Sequence, residues 1–339
     1  MTETNYKQTE SRKDHHLELA LSSQNELVDS RFFYEPLLAA HPSDSEEWPV
    51  KIGSKVMRFP IWISSMTGGT AKTNEINMRL AKTAATFGLG IGLGSSRIAL
   101  ENEKKIQDFD IRPIIGRQLP FYLNFGIAQI EKMLEQNSVA ALEDLVAKLD
   151  ADGIFIHVNP LQEWMQPEGD RLKKTPIDTI QQFMATSKLA VIAKEVGQGF
   201  GYNSMKALMQ LPLTAIEFAA NGGTNFSKLE LLRNTTKSQF LMPFVHVGQT
   251  AEEMVDINNQ LLAELGNKAQ CQSVIISGGI KSFLDGYYLL KKSKANAVYG
   301  QASEFLKYAQ ISQEALDEFT KNQVEGLLLA RTYLTLKQQ

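Results

Sequence analysis

One pattern constrains this chain above all others. Eight times along its length a short apolar, β-branched run gives way to a longer helix-like segment, and almost every one closes in glycine, hydroxyl, amide or charge. The runs are Pro60–Ser65, Leu89–Gly94, Pro120–Phe125, Gly153–Val158, Leu189–Glu195, Thr214–Phe218, Ser273–Ser277 and Ala297–Gly300. Helical patterns cover Glu75–Phe87, Ala140–Leu149, Pro176–Ser187, Tyr202–Met209, Ala251–Leu265 and Phe283–Ser293. Strands alternating with helices build βαβ units on a parallel sheet. Eight such units predict an α/β fold, a closed (β/α)8 TIM barrel, over an open doubly wound sheet. The 339 residues suit one barrel domain over 1–339, with the polar stretch 1–50 as an N-terminal extension. Thr224–Thr250 is too long for an ordinary βα connection and reads as a long loop over the active face.

Charge and cysteine content then exclude whole classes. Lys plus Arg total 35 against 38 Asp plus Glu, a net charge of −3, so no nucleic-acid partner is expected. A single cysteine, Cys271, forms no intramolecular disulfide and no Cys-based metal site. Met1 to Arg12 is polar, and no apolar run reaches the roughly 18 residues of a membrane span. A cytoplasmic protein with no membrane partner is the expectation.

Barrel chemistry sits at the C-terminal ends of the strands, so the residues closing each run are the candidates. Gly278-Gly279 after the seventh run and Gly300-Gln301-Ala302-Ser303 after the eighth fall where barrels bind phosphate, with Lys281 beside them; an unliganded glycine turn is the bland reading. Ser65-Met66-Thr67-Gly68-Gly69 leaves room for a flat ring against the backbone. Lys194 projects into the mouth, toward a flavin N1–C2=O edge or another anion, or else toward Glu195 or another carboxylate. His157, Asn159, Gln162 and Glu163 cluster after the fourth run. There Glu163 suits Mg²⁺ completed by substrate phosphates, Gln162 suits a substrate edge, and His157 is either functional or a hydrogen-bonded core residue. Arg12-Lys13 is either a solvated cluster or a clamp on an anion. The string Gly88–Gly94 lacks dinucleotide-fingerprint spacing and follows a helix, so its glycines read as close packing.

Taken together, Arg12-Lys13-Asp14-His15-His16, Met66-Thr67-Gly68-Gly69-Thr70, Gly94-Ser95-Ser96-Arg97, Asn159-Pro160-Leu161-Gln162-Glu163, Lys194-Glu195-Val196-Gly197 and Gly222-Gly223-Thr224-Asn225-Phe226 resemble the type II isopentenyl diphosphate isomerases. The resemblance runs in order from about residue 12 to residue 306. It implies an FMN-bearing barrel that interconverts isopentenyl and dimethylallyl diphosphate in isoprenoid biosynthesis. Reduced FMN would act as acid and base, with Mg²⁺ present, NADPH as the flavin reductant and no net redox change. By position it implies FMN at Ser65, Met66, Thr67, Ser95, Asn124, Lys194, Thr224, Gly279, Ile280, Lys281, Ala302 and Ser303. It implies the substrate diphosphate at Arg12, Lys13, Ser95, Ser96, Arg97, His157, Asn159 and Gln162, with Mg²⁺ at Glu163. Lys194, His157 and Gln162 become the catalytic side chains, the extension contributes to the active site, and a homo-oligomer, tetramer or octamer, is expected. Ala219, Asn221, Lys281 and Ser303 depart from the family pattern, Lys281 replacing a bidentate arginine fork.

Two rivals are distinguishable. An FMN-dependent 2-hydroxy-acid oxidoreductase needs a histidine base with an arginine clamp late in the barrel. The one late histidine here is His246, with no arginine near it. An inactive flavin- or metabolite-binding barrel would show no turnover.

Overall fold

The computed structural model describes residues 12–24, 27–65, 71–233 and 240–337. Eight parallel strands close into a barrel: β1 (Ile61–Ile63), β2 (Gly90–Gly92), β3 (Phe121–Gly126), β4 (Gly153–His157), β5 (Val191–Lys194), β6 (Ala215–Glu217), β7 (Ser273–Ser277) and β8 (Asn296–Gln301). Each strand pairs with its sequence neighbours, and β8 closes on β1. All eight sequence-predicted strands lie on these.

The helices obey local rules. Ala251–Leu265 starts at Thr250, whose Oγ1 accepts from the Glu253 N–H while Glu253 Oε2 accepts from the Thr250 N–H, a reciprocal capping box. Met254, Val255, Asn258, Leu261 and Leu265 then recur at three- and four-residue spacing and are buried. Pro176–Thr186 starts with Thr175 as cap and proline in the first turn.

Two cores result. The large one lies between strands and helices; the smaller fills the barrel itself. There Trp62, Tyr122 and Phe155 pack edge-on or tilted, with ring centroids 5.9–6.2 Å apart. An antiparallel hairpin, Val50–Ile52 with Lys55–Met57, closes the lower end by inserting Ile52 and Met57. Gly90 and Gly92 on β2 make this layer possible, because a Cβ on either would overlap the rings of Trp62 or Phe155. The packing reading of that glycine string holds. At the ends of the chain, Phe32–Tyr34 pairs antiparallel with Leu334–Leu336 beside the long helix Gln313–Tyr333.

The stretch after β6 corrects the expectation of a long loop. Phe226–Arg233 is helical, with Asn225 Oδ1 accepting from the Lys228 N–H at 2.9 Å, and Met242–His246 forms a 3-10 turn. Ser227, Glu230 and Leu231 are its buried side chains, and Leu231 packs with Met165 and Val245. Leu229 and Leu232 remain exposed, which blurs the helical periodicity.

Candidate active site

The strands end in a belt of polar side chains. Gly126, His157, Lys194 and Glu217 stand at matched register on β3, β4, β5 and β6. Asn124 Nδ2 donates to Ser65 Oγ at 3.1 Å, and His157 Nδ1 lies 2.8 Å from Asn124 Oδ1. Further round, Lys194 Nζ lies 3.6 Å from Glu217 Oε2. Ser277 Oγ donates to Glu217 Oε1 at 3.1 Å and accepts from the Ala219 N–H at 2.9 Å.

This chain of contacts fixes a tautomer. Asn124 spends its amide on Ser65 and shows His157 a carbonyl, so Nδ1 carries the imidazole proton and Nε2 is bare. Burial, with the charge of Lys194 added, pushes the His157 pKa down to about 3. The ring is neutral at pH 7.

Two adjoining chambers open at this mouth. The first, about 560 Å³, is walled by the ends of β6, β7 and β8, including Ala219, Gly223, Gly278, Gly279, Ala302 and Ser303. The second, about 440 Å³, is lined by Ser95, Asn124, His157 and Gln162. Ser65, Lys194, Val196 and Phe226 line both.

The first chamber is a backbone cup. Gly278 sits at φ +96°, and a Cβ there would overlap the main chain of Ala220. A Cβ on Gly222 would come 2.9 Å from Gly279 Cα. Glycine pairs therefore face each other with no room for side chains, leaving peptide groups as the wall. Ala219 holds φ +43°, a conformation costing a non-glycine about 1 kcal/mol or more and typical of ligand sites. Ser64 Oγ and Gln301 Oε1 are buried there without a hydrogen-bond partner. Such atoms cost about 1–3 kcal/mol each unless something in the cup meets them.

The loop after β4 forms a third group. Asn159 Nδ2 donates to Gln162 Oε1 and Glu163 Oε1, both at 3.1 Å, and Glu163 Oε2 accepts from the Asp170 N–H at 2.7 Å. Gln162 Nε2 donates to Glu230 Oε1 at 3.4 Å, and Arg233 holds the other oxygen of Glu230. Asn159 Oδ1 is buried and unpartnered. Arg97 is held charged chiefly by Glu101, at 2.6 Å, with Asp170 and Glu163 adding at longer range. Among the described residues no three acidic, histidine or cysteine side chains cluster to hold a metal.

The mouth thus gathers Ser65, Ser95, Asn124, His157, Gln162, Lys194, Thr224, Gly279, Ile280, Ala302 and Ser303 around the two chambers. Ser96 is buried beneath, its Oγ turned to the Gly94 carbonyl. Lys281 is exposed outside the cup, its N–H donating to Asp285 Oδ2. Arg12 and Lys13 stand exposed on the helix over 12–19 and are not among the lining residues. Met66 and Thr67 lie outside the described residues. Lys194 does pair with a carboxylate, but that of Glu217. Glu195 instead accepts the N–H groups of Gly197, Gln198 and Gly199. Glu217 and Glu230 are the site residues sequence reasoning missed. For Glu217 the signal was a lone acid inside the apolar run Thr214–Phe218.

A closed barrel with a glycine-walled cup, a buried lysine and a neutral histidine at the C-terminal ends of its strands defines a TIM-barrel enzyme. No family model matches the chain. The isopentenyl-diphosphate delta-isomerase of Rickettsia akari (strain Hartford) is 30% identical over 324 residues, covering 94% of this chain and 91% of the relative. That of Rickettsia felis is 30% identical over 323 residues, covering 93% and 90%. The chain belongs to the isopentenyl-diphosphate delta-isomerase family. In fold it is similar to a flavocytochrome b2 variant with sulfite bound (TM-score 0.61, 12% identity, 93% of this chain and 78% of that one). It is also similar to a mandelate oxidase variant with an FMN adduct (TM-score 0.54, 12% identity, 91% and 88%). Among the described residues no helix is long and apolar enough to cross a membrane.

Proposed function

We propose that this enzyme interconverts isopentenyl and dimethylallyl diphosphate on a type II, FMN-dependent barrel, with Mg²⁺ on the substrate diphosphate and NADPH as one reductant of the flavin. The observation that carries this reading is Lys194, a buried cation on the wall shared by a phosphate-sized backbone cup and a polar chamber. The cup suits a flavin phosphate: glycines admit its oxygens, and the orphaned Ser64 hydroxyl can donate to it. Reduced FMN, when bound, supplies and takes back the proton that moves between the alkene carbons.

The protein's own residues do the rest. Lys194 sets positive charge beside an anionic ring. His157 does not serve as the acid in this reading: burial, with the charge of Lys194 added, holds its pKa well below the usual imidazole range, and the ring is neutral at pH 7. Its bare Nε2 instead accepts a hydrogen bond. Gln162, braced between Asn159 and Glu230, orients the diphosphate, and Arg97 stands near the same loop. Glu163 supplies one carboxylate to Mg²⁺, and with no acidic cluster beside it the ion draws its other ligands from phosphate and water. The chain works as one domain whose N-terminal extension contributes Arg12 and Lys13 to the substrate site, in a homo-oligomer. The hydroxy-acid oxidase reading loses ground, because His246 ends an exposed turn away from both chambers.

The test is anaerobic turnover of labelled isopentenyl diphosphate with a trace of dithionite or NADPH, while the flavin band is followed. Many products per reducing equivalent support the proposal. One equivalent consumed per product makes the protein an oxidoreductase, and equal activity of oxidised enzyme leaves the flavin no chemical role.

A further inference from the structure

Glu217 is wholly buried, and its two oxygens are treated unequally. Oε1 is anchored by the Ser277 hydroxyl, which the Ala219 N–H holds in turn. Oε2 has no hydrogen-bond partner and stands 3.6 Å from Lys194 Nζ. Matched register on adjacent strands β5 and β6 sets that spacing, so both ends of the pair rest on rigid backbone. A buried ammonium without a counter-charge sheds its proton, and a buried carboxylate without one takes a proton up. The Lys194 ammonium faces both chambers. The groups around it are neutral His157 on β4, Glu217 on β6 and the polar lining of the chambers.

We propose that Glu217 is the positioning residue for Lys194. It pairs with the lysine and pins it to the wall between the chambers, so that the site presents a fixed cation before any anionic ligand arrives. The pair is close enough for full ion-pair attraction, yet no hydrogen bond ties up Glu217 Oε2. Lys194 is therefore held in place and still free to donate into the chambers. Ser277 completes the device by fixing the rotamer of Glu217. This inference rests on the reading of Lys194 as the cation of the site, but its first test needs no flavin.

The experiment compares wild type with Glu217→Gln, Glu217→Asp and Ser277→Ala in two measurements. In the first, the purified proteins are treated with an amine-acylating reagent across pH 6–10, and Lys194 modification is read by peptide mass. Only the neutral amine reacts, so Glu217→Gln should speed labelling of Lys194 at least about tenfold at neutral pH. Glu217→Asp should restore much of the wild-type rate, and Ser277→Ala should fall between. Solvent-exposed Lys281 is the internal standard for each sample. In the second, the FMN-loaded proteins are titrated against redox dyes at several pH values. Glu217→Gln leaves the cation uncompensated and should raise the potential, by about 30 mV for each tenfold gain in preference for reduced over oxidised flavin in this two-electron couple. Unchanged Lys194 labelling in a folded Glu217→Gln protein overturns the proposal. If Glu217→Gln does not fold, Ser277→Ala decides on the same labelling criterion. Failure of wild type to take up FMN would refute the flavin reading while leaving the labelling result to stand alone.

Discussion

The imidazole of His157 gives its only proton to Asn124, across 2.8 Å between the ends of β4 and β3. The ring is thereby locked in one tautomer and one charge state. Folding lowers its pKa from an ordinary 6.5 to about 3, so between those values the unfolded chain binds more protons than the native one. Stability is then complete above pH 6.5 and declines as pH falls toward 3. Between pH 7 and pH 5 the loss from this residue is about 2 kcal/mol. Urea unfolding at both values should show a His157→Gln variant losing that much less than wild type. Equal losses would mean that His157 takes up its proton in the folded state.

The cup predicts a sharp difference between two glycines with similar backbone angles. Gly278 (φ +96°) faces the main chain of Ala220, whereas Gly116 (φ +73°) has nothing within 4 Å of its missing Cβ. Gly116→Ala, at φ +73° and ψ 175°, should cost only backbone strain, about 1–3 kcal/mol, and leave FMN retention unchanged. Gly278→Ala must also push two strand ends apart, and should lower stability by about 3 kcal/mol or more and abolish FMN retention. Thermal unfolding and flavin content after gel filtration check both. Normal FMN content in Gly278→Ala would show that the cup is not the phosphate seat.

Glu163 holds its own loop through Asn159 and the Asp170 N–H. A glutamine preserves an acceptor for that N–H while deleting the charge. Glu163→Gln should therefore leave flavin content and melting temperature near wild type and raise the Mg²⁺ concentration for half-maximal turnover at least about tenfold. An unchanged Mg²⁺ titration would assign Glu163 to loop structure alone.

Inside the barrel, Gly90→Ala should destabilise by about 1–3 kcal/mol, because the new methyl overlaps the Trp62 ring in a layer with no free volume. The indole fluorescence of Trp62 should change with it. A neutral outcome would show that the aromatic layer repacks.

The barrel was legible because its strands are almost wholly buried and give way to a change of chemistry. Ile192, Ala193 and Lys194 show both signals in three residues. What stayed hidden depends on closure. Lys194 and Glu217 belong to separate βα units, and only the register of β5 on β6 makes them partners; local reading offers Glu195, the chain neighbour, instead. Glu230 was missed for another reason. Its helix carries Leu229 and Leu232 into solvent, so no apolar stripe announced a helix whose buried face reaches Gln162. Lys281 follows Ile280 of the cup in the chain, with its side chain exposed and its N–H donating to Asp285 Oδ2.

Phe32–Tyr34 and Leu334–Leu336 are held to one another by main-chain pairing, and Tyr287 donates its hydroxyl proton to the Leu334 carbonyl. The strand Phe32–Tyr34 is thus moored to the strand that follows the long helix Gln313–Tyr333, at a point outside the barrel wall. Trimming the chain after Tyr333 would cast that mooring off. Damage at Leu334–Leu336 would then be felt at Phe32–Tyr34, with the eight strands between them undisturbed.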